Sequence, residues 1–369
     1  MRRQPTPGGA AFALLLTLVS GRAATLQDVL DEARAASGAP GASAAIMQNG
    51  TLIWRGSSGV ARIDSGLPVS DSTLYSLASV TKTFTSTMIL RLSEEGKLGL
   101  NDFIAPYVPS YMPSTGVVTV HDLLGMTSGY QDVEGYPVIL KWLADPNHRW
   151  ARSQILDRVQ PVKFAPGSRF QYSNTNYVIL GGMIDSVSAA GIAGEFERLI
   201  VQPAGIAGEA YFVRDPAAAG RMAHGYNLQR GELVDTFAGA DSLGVPTSVW
   251  GVMWTDGGLA ATASGVAGFT DALFGGRILE PATLAVMIQP GPNGSYGLGT
   301  RSIQFDGFDW QGNDGFYDGF TTVTMYDFSR QLTITVLTNY TDNATVDHDA
   351  AYAIWYRLVK AYDAANAGL

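Results

Sequence analysis

A serine and a lysine three residues apart are the first residues that could carry out nucleophilic catalysis. Ser79 and Lys82 stand at the start of Thr81–Leu92, whose pattern predicts a helix. Residues three apart share one helix face, so the lysine amine can reach the serine hydroxyl. Apolar neighbours would desolvate the lysine, which eases the loss of its proton and makes it a base. The alternative is an N-cap serine beside a solvated lysine.

A tyrosine and an asparagine form a second candidate group. Tyr172 and Asn174 follow the turn signal Pro166-Gly167 and precede the predicted helix Asn176–Val187. A loop tyrosine can carry a proton between a nucleophile and a leaving group. An asparagine both donates and accepts hydrogen bonds, which suits the binding of a substrate amide or ester. A buried tyrosine and a turn asparagine would explain the same residues without catalysis.

A glycine-rich segment near the C-terminus is the third candidate. Asn313, Asp314 and Gly315 lie within it, between further glycines at positions 312 and 319. Glycines at such a spacing suit a strand edge that another backbone or a ligand approaches closely. The alternative is a simple turn that leads into a strand at Thr321.

Strand and helix signals occur in an order that predicts a sheet built from both chain ends. The strand-like runs are Ala42–Met47, Thr51–Arg55, Thr321–Tyr326 and Leu332–Thr338. Asn49-Gly50, between the first two runs, is a strong hairpin signal. Helical spacing marks Thr81–Leu92, Val120–Leu124, Asn176–Val187 and Ala350–Ala361. We therefore predict a sheet lobe at about residues 24–75 and 255–369, with an inserted, mainly helical lobe at about 76–254.

The first 23 residues predict export. Arg2 and Arg3 precede the apolar run Ala10–Val19, and Gly21 and Ala23 fit the small-residue positions of a cleavage site. That run is too short to span a bilayer, and no later segment is long and apolar enough to do so. We expect a signal peptide at 1–23 and a single catalytic domain at 24–369, soluble in a periplasm or outside the cell.

Composition and charge exclude several classes of function. Removal of Met1–Ala23, with its three arginines and no acid, takes the formal net charge from -9 to -12. Such an acidic chain is a poor candidate for binding nucleic acid. The chain has no cysteine, hence no disulfide and no thiolate metal site. The four histidines match no recognisable zinc motif and Gly-x-Ser-x-Gly is absent, so we expect no cofactor and no α/β-hydrolase elbow.

Taken in order, the three groups resemble the motifs of the serine β-lactamase and penicillin-binding protein superfamily. The resemblance runs from about Pro40 to Asn339. It is closest to class C β-lactamases, exported D-alanyl-D-alanine carboxypeptidases and esterases of the same fold. Secondary signatures in the same order are Gly96–Asp102, His121–Gly129, Phe164–Gly167, Gly257–Leu259 and Tyr296–Gly299. It implies an α+β, β-lactamase-like fold with an antiparallel sheet and flanking helices.

The resemblance also implies a role for each matching residue. Ser79 would be the acylated nucleophile, Lys82 its base and Tyr172 the residue that shuttles the proton. Asn174 would contact the acyl side of a small-molecule or peptide substrate. The backbone N–H groups of Ser79 and Phe316 would form the oxyanion hole, the donor pair that stabilises the developing negative charge.

One departure from the family pattern concerns the third motif. The family usually has Lys or His where this chain has Asn313, and Asp314 adds a negative charge. Without that cation we expect weak recognition of carboxylate-bearing substrates and a preference for uncharged esters. Arg301 is a candidate replacement for the cation. The alternative is an exposed arginine at a strand start.

Several functions therefore compete at the level of sequence. The first is a serine hydrolase whose substrate is a plain ester, a D-alanyl peptide or a β-lactam. The second is an inactive binding or sensor domain that keeps the fold, which Asn313 favours and the presence of Ser79, Lys82 and Tyr172 opposes. The third is an extracellular structural protein in which the motifs are coincidental. The sequence makes no prediction about the oligomeric state.

Overall fold

The computed structural model describes residues 24–133, 150–213, 215–218, 220–237, 253–342 and 350–367. The expected signal peptide, Met1–Ala23, lies outside the described residues. The helices are α1 Leu26–Ser37, α2 Thr81–Glu94, α3 Val120–Leu124, α4 Arg152–Leu156, α5 Asn174–Val187, α6 Gly191–Phe196, α7 Gln202–Ala204, α8 Ala263–Phe274, α9 Pro281–Ile288 and α10 Ala350–Asn366. A short π-helical segment, Glu197–Val201, makes α6 and α7 continuous.

Strands of the main sheet come from the two ends of the chain. They are β1 Gly41–Gln48, β2 Thr51–Arg62, β3 Leu67–Pro68, β9 Arg301–Phe305, β10 Phe308–Tyr317, β11 Phe320–Asp327 and β12 Leu332–Thr338. The remaining strands are β4 Tyr75–Ser76, β5 Ala210–Phe212, β6 Tyr226–Gln229, β7 Glu232–Asp235, β8 Leu259–Ala261 and β13 Tyr340–Asp342.

The main sheet has seven antiparallel strands in the order β3-β2-β1-β12-β11-β10-β9. β1 pairs directly with β12, so the N-terminal hairpin and the C-terminal strands form one sheet. The predicted Asn49-Gly50 hairpin is confirmed, with φ of 52° and 78° at its two turn residues. The α+β fold class, with an antiparallel sheet built from both ends and a largely helical middle, is confirmed.

Both faces of the sheet are covered, which explains why the central strands β11 and β12 are buried along their whole length. One face packs on α1 and α10, where Trp310 and Trp355 lie with ring centroids 4.8 Å apart. The other face packs on α8 and, beyond it, on the helical part of the chain. Every residue of β12 is buried, because helices cover it on both sides.

Helix bounds follow the sequence signals closely at α3 and α5. α3 begins and ends where its pattern predicts, with Thr119 and Asp122 forming a capping box at its start. α5 begins two residues earlier than predicted, at Asn174.

Within the described residues no single helix is long and apolar enough to cross a membrane. α5 and the helical segment Gly191–Ala204 reach the required length and hydropathy only when they are counted together, and their axes are bent by 91°.

Candidate active site

The turn that presents the candidate nucleophile is held from two strands. We call Leu77–Val80 the nucleophile turn; it ends in a single 3-10 turn and runs into α2. The Leu77 N–H donates to Leu259 O at 2.9 Å, and Thr322 Oγ1 donates to Leu77 O at 3.1 Å. Ala78 has a φ of 46°, a strained value for a residue with a side chain. The turn therefore places Ser79 at the N-terminal end of α2, where the helix dipole favours an anion.

The three predicted catalytic side chains meet in space. Ser79 Oγ lies 2.6 Å from the Tyr172 hydroxyl and 3.1 Å from Lys82 Nζ. Lys82 is only 1% exposed, whereas 42% of Tyr172 is exposed. The nucleophile is therefore flanked by one buried amine and by one phenol that opens onto the surface.

Lys82 is fixed by a loop that follows the helical part of the chain. Its Nζ donates to Asp256 O at 2.6 Å. The same loop is tied to α2 by Thr85 Oγ1, which donates to Thr255 O at 2.7 Å. A neutral lysine can donate one hydrogen to Asp256 O and direct its lone pair at Ser79 Oγ. The arrangement thus suits a base, and the sequence signature Gly257–Leu259 marks the loop that supplies it.

Tyr172 is positioned by the turn after α3. Its neighbour Gln171 donates its N–H to Met126 O at 2.9 Å, and the Gly167 N–H donates to Thr127 O, also at 2.9 Å. Met126 has a φ of 58°, so this turn is itself strained. The segments His121–Gly129 and Phe164–Gly167 are therefore hydrogen-bonded to each other, and together they position Tyr172.

Asn174 is the first residue of α5 and pairs with an acid that the sequence analysis did not single out. Its backbone N–H and its Nδ2 both donate to Asp132 Oδ2, at 3.3 and 3.2 Å. Asn174 is half-buried, and Asp132 is exposed. No motif marked Asp132, because only the packing of its loop against α5 brings it beside Asn174.

Strand pairing directs the Phe316 N–H away from the sheet. β10 and β11 form a hairpin whose two turn residues, Asp318 and Gly319, have φ of 34° and 89°. In such a turn the flanking pair, Tyr317 and Phe320, is hydrogen-bonded, so the next pair, Phe316 and Thr321, is not. β9 pairs with β10 only from Phe308 to Gly312. The Phe316 N–H therefore points to the β10 edge that β9 leaves open.

Gly315 allows that open edge to lie against the nucleophile turn. A Cβ at Gly315 would come within 2.3 Å of Leu77 O and 3.1 Å of Ala78 Cβ. No other residue fits this separation without displacing the backbone. The close approach brings Phe316 and Ser79, the two residues whose N–H groups are predicted to form an oxyanion hole, onto adjoining backbones.

Asn313 faces the protein interior. Its side chain is 4% exposed. Nδ2 lies 3.4 Å from Ser79 O, 3.1 Å from Thr83 Oγ1 and 3.2 Å from Gly299 O. These three acceptors belong to the protein, so they account for the amide without any substrate.

The charge on Asp314 is matched by Arg301. The two side chains form an ion pair between the start of β9 and the open part of β10. Burial lowers the pKa of Arg301, but Asp314 outweighs that effect and leaves this pKa raised. Arg301, the candidate replacement for the missing cation, is thus paired with Asp314. Arg301 does start a strand, with its side chain 39% exposed, but it is not a solitary surface arginine.

A buried phenol cluster adjoins the catalytic group. Tyr177 donates to Leu124 O at 2.9 Å and lies 3.0 Å from Ser86 Oγ. Burial raises the pKa of Tyr177, and burial, followed by the neighbouring phenols, raises that of Tyr296. Both phenols therefore stay neutral at ordinary pH, and Tyr177 adds no charge beside Lys82, whose Nζ lies 5.8 Å from its ring centroid.

The sequence that forms these helices and strands matches a known protein family. The sequence model of the family described as Beta-lactamase matches residues 26–358. The chain belongs to the beta-lactamase family. Members of this family are serine hydrolases, which is the class of enzyme that the resemblance implied. The matched span contains all three candidate motifs.

Two curated relatives are similar to parts of the chain. It is 32% identical over 197 residues to Esterase EstB of Burkholderia gladioli, with 50% of each chain covered. It is 33% identical over 154 residues to Protein flp of Staphylococcus aureus, with 40% of this chain and 30% of the relative covered. The match therefore spans half or less of the length of these relatives.

Several solved structures share the fold over most of the chain. The D-amino acid amidase of Ochrobactrum anthropi SV3 has a TM-score of 0.79 and 22% identity, covering 92% of this chain and 98% of that one. An octameric penicillin-binding protein homologue from Pyrococcus abyssi has a TM-score of 0.75 and 24% identity, covering 91% and 76%. At this level of identity the likeness concerns the fold alone.

Proposed function

We propose that this chain is an exported serine hydrolase that forms an acyl-enzyme on Ser79 and cleaves uncharged esters in preference to carboxylate-bearing substrates. The observation that carries the proposal is the contact of Ser79 Oγ with both the Tyr172 hydroxyl, at 2.6 Å, and Lys82 Nζ, at 3.1 Å. A nucleophile with a proton-transfer group in hydrogen-bonding distance is an arrangement that supports acyl transfer, and Ser79 has two such groups.

Acylation follows from this geometry. Ser79 Oγ attacks the substrate carbonyl carbon while its proton passes to Lys82 Nζ, the buried amine. The negative charge that develops on the carbonyl oxygen is stabilised by the N–H groups of Ser79 and Phe316. When the tetrahedral intermediate collapses, the bond to the alcohol breaks. Tyr172, exposed on the cleft side of Ser79, passes a proton to the departing oxygen, and Lys82 restores it.

Deacylation uses the same groups in reverse. A water molecule takes the place of the alcohol and gives a proton to the Tyr172 and Lys82 pair as its oxygen attacks the acyl carbon. The bond to Ser79 Oγ then breaks, Ser79 recovers its proton and the carboxylic acid leaves. The buried position of Lys82 keeps bulk water from the proton that it holds, since only 1% of its surface is exposed.

The preference for uncharged esters rests on what the third motif offers to a substrate. Asn313 is committed to protein acceptors, and Arg301 and Asp314 neutralise each other. The side chain that opens onto the surface beside the nucleophile is aromatic, since 42% of Tyr172 is exposed and its hydroxyl lies 2.6 Å from Ser79 Oγ. Such a wall favours apolar acyl or alcohol groups. The partial similarity to an esterase supports the same choice.

A D-alanyl-D-alanine carboxypeptidase or a β-lactamase is the second candidate. Arg301 favours it, because its guanidinium keeps 39% exposure at the end of the open strand edge. A substrate carboxylate there would have to compete with Asp314. An inactive binding domain is the candidate from another class, and the close contacts of Ser79, Lys82 and Tyr172 argue against it.

A fluorophosphonate probe tests the proposed reaction. The wild-type protein is incubated with the probe, digested and examined by mass spectrometry, with Ser79→Ala and an outlying serine variant, Ser65→Ala, as controls. We expect one adduct, on Ser79, that persists in Ser65→Ala and is absent from Ser79→Ala. A folded Ser79→Ala protein that still hydrolyses esters would exclude the proposed mechanism, since loss of the nucleophile costs several orders of magnitude in rate.

Export is tested separately from activity. The full chain is expressed in a bacterial host, and the N-terminus of the protein recovered outside the cytoplasm is sequenced. We expect it to begin at Ala24, after the small residues Gly21 and Ala23. Uncleaved protein confined to the cytoplasm would contradict the export part of the proposal and leave the catalytic part untouched.

A further inference from the structure

One buried amide joins the two backbone segments that carry the candidate oxyanion donors. Asn313 lies on β10, three residues before Phe316, and its Nδ2 is 3.4 Å from the carbonyl oxygen of Ser79. The same Nδ2 contacts Thr83 Oγ1 on α2 and Gly299 O ahead of β9. A single side chain thus ties the nucleophile turn, α2 and the open strand to one another.

Hydrogen-bond roles leave little freedom in how this amide is oriented. Thr83 Oγ1 donates to Gly299 O at 2.7 Å, so its oxygen accepts from Asn313. Asn313 Oδ1 accepts the Asp314 N–H at 3.0 Å. The amide therefore has a fixed orientation, with its nitrogen towards the nucleophile turn and its oxygen towards the open strand.

We infer that Asn313 is a positioning residue that sets the separation of the Ser79 and Phe316 N–H groups, and that it does not contact the substrate. The inference rests on the proposed function, because the two donors matter only if Ser79 forms an acyl-enzyme. A cation at this position would extend towards a substrate or the proton network. Here a shorter side chain turns inward and holds the two donor-bearing backbones together.

The expected effect is on the chemical step. Oxyanion donors act on charge that exists only in the transition state, so a displaced donor lowers kcat and leaves substrate binding nearly unchanged. Small displacements are enough, since catalytic geometry tolerates roughly 0.5 Å. A residue that contacted the substrate in its ground state would instead raise KM when replaced.

A matched pair of amide-to-acid substitutions tests this inference. Asn313→Asp removes the donor that faces Ser79 O. Gln311→Glu makes the same change two residues earlier on β10, where the buried Gln311 amide donates to Thr300 Oγ1 at 2.8 Å and does not touch the nucleophile turn. With a nitrophenyl ester we expect kcat of Asn313→Asp to fall at least about tenfold with KM within about threefold. We expect Gln311→Glu to stay within about twofold in kcat.

A second variant, Asn313→Ser, tests the inference if Asn313→Asp does not fold. Its side chain is smaller and carries no charge, and we expect the same fall in kcat with an unchanged KM. Melting temperatures are measured for all variants. A rise in KM at constant kcat, or an equal loss of kcat in Gln311→Glu, would overturn the inference while the wild type remains active. A wild type that the fluorophosphonate probe does not label at Ser79 would refute the proposed function and this inference together.

Discussion

The hydroxyl oxygens of Ser79 and Tyr172 lie 2.6 Å apart although 93 positions separate the two residues in the chain. Ser79 stands at the start of α2, and Tyr172 stands on the segment that leads into α5. Their contact depends on two strained turns, one at Ala78 and one at Met126, each with a positive φ. Backbone strain of this kind persists where the surrounding structure over-determines the conformation.

Replacement of Lys82 by arginine should nearly stop acylation. Arginine keeps a positive charge but does not lose a proton at ordinary pH, so it cannot take the proton of Ser79. We expect the rate of fluorophosphonate labelling to fall at least about a hundredfold, the lower range for loss of a general base. The exposed Lys97→Arg serves as the control. Near-native labelling of Lys82→Arg would mean that Tyr172 alone accepts the proton.

Introduction of a methyl group at Gly315 should separate β10 from the nucleophile turn. A Cβ there would lie 2.3 Å from Leu77 O, which is backbone and cannot rotate away. We expect Gly315→Ala to lose about 1–3 kcal/mol of stability, the usual cost of overpacking, and to lose kcat as well. Gly116→Ala is the control, since nothing lies within 4 Å of a Cβ at that position. Chemical denaturation and ester kinetics measure both effects, and unchanged kcat in Gly315→Ala would contradict this account.

The ion pair of Arg301 and Asp314 should govern discrimination against carboxylates. Asp314→Asn releases the guanidinium, so we expect kcat/KM for a chromogenic cephalosporin and a D-Ala-D-Ala peptide to rise relative to a nitrophenyl ester. Arg301→Gln leaves the Asp314 carboxylate uncompensated and should shift the ratio the other way. Each change should be about twofold to fivefold, as for a partly exposed charge pair. A wild type that already prefers the cephalosporin or the peptide would show that this pair does not exclude carboxylates.

Replacement of Asp318 by asparagine should stabilise the protein at neutral pH. Burial raises the pKa of Asp318, although the hydrogen bond from Asn227 lowers it in part. A folded-state pKa above the unfolded value means that the carboxylate costs stability above that pKa, and the cost disappears below the unfolded value. The gain from Asp318→Asn, about 1 kcal/mol, should therefore be largest near about pH 7 and shrink towards about pH 3.

The β9–β10 hairpin supplies the control for that experiment. Asp306 stands before Gly307 in the same kind of turn, with φ of 53° and 83°, but it is exposed. Asparagine before glycine suits such turns in both places. The stability gain from Asp306→Asn therefore reflects the turn preference alone. The difference between the stability gains of Asp318→Asn and Asp306→Asn isolates the effect of burial. Equal gains at every pH would mean that burial of Asp318 has no energetic consequence.

The sequence by itself was sufficient for the local elements and for the residues of the candidate site that meet in space. Asn49-Gly50 predicted a hairpin because few residue pairs adopt two positive φ values at little cost. The three-residue spacing of Ser79 and Lys82 predicted a shared helix face, and the structure has their side chains 3.1 Å apart. These predictions depend on backbone periodicity and turn chemistry, which act over a few residues and are therefore visible in the order of the amino acids.

Only the tertiary structure decided what surrounds that pair. The inward direction of Asn313 and the partnership of Arg301 with Asp314 depend on the register of β9, β10 and β11, and a slip of one residue would exchange the two faces of the strand. The carbonyl of Asp256 and the carboxylate of Asp132 reach the site through two loops. The signature Gly257–Leu259 marks the first loop, but no local pattern encodes the path of either. Their positions follow from packing between segments that are far apart in the chain, so spacing along the sequence carries no information about them.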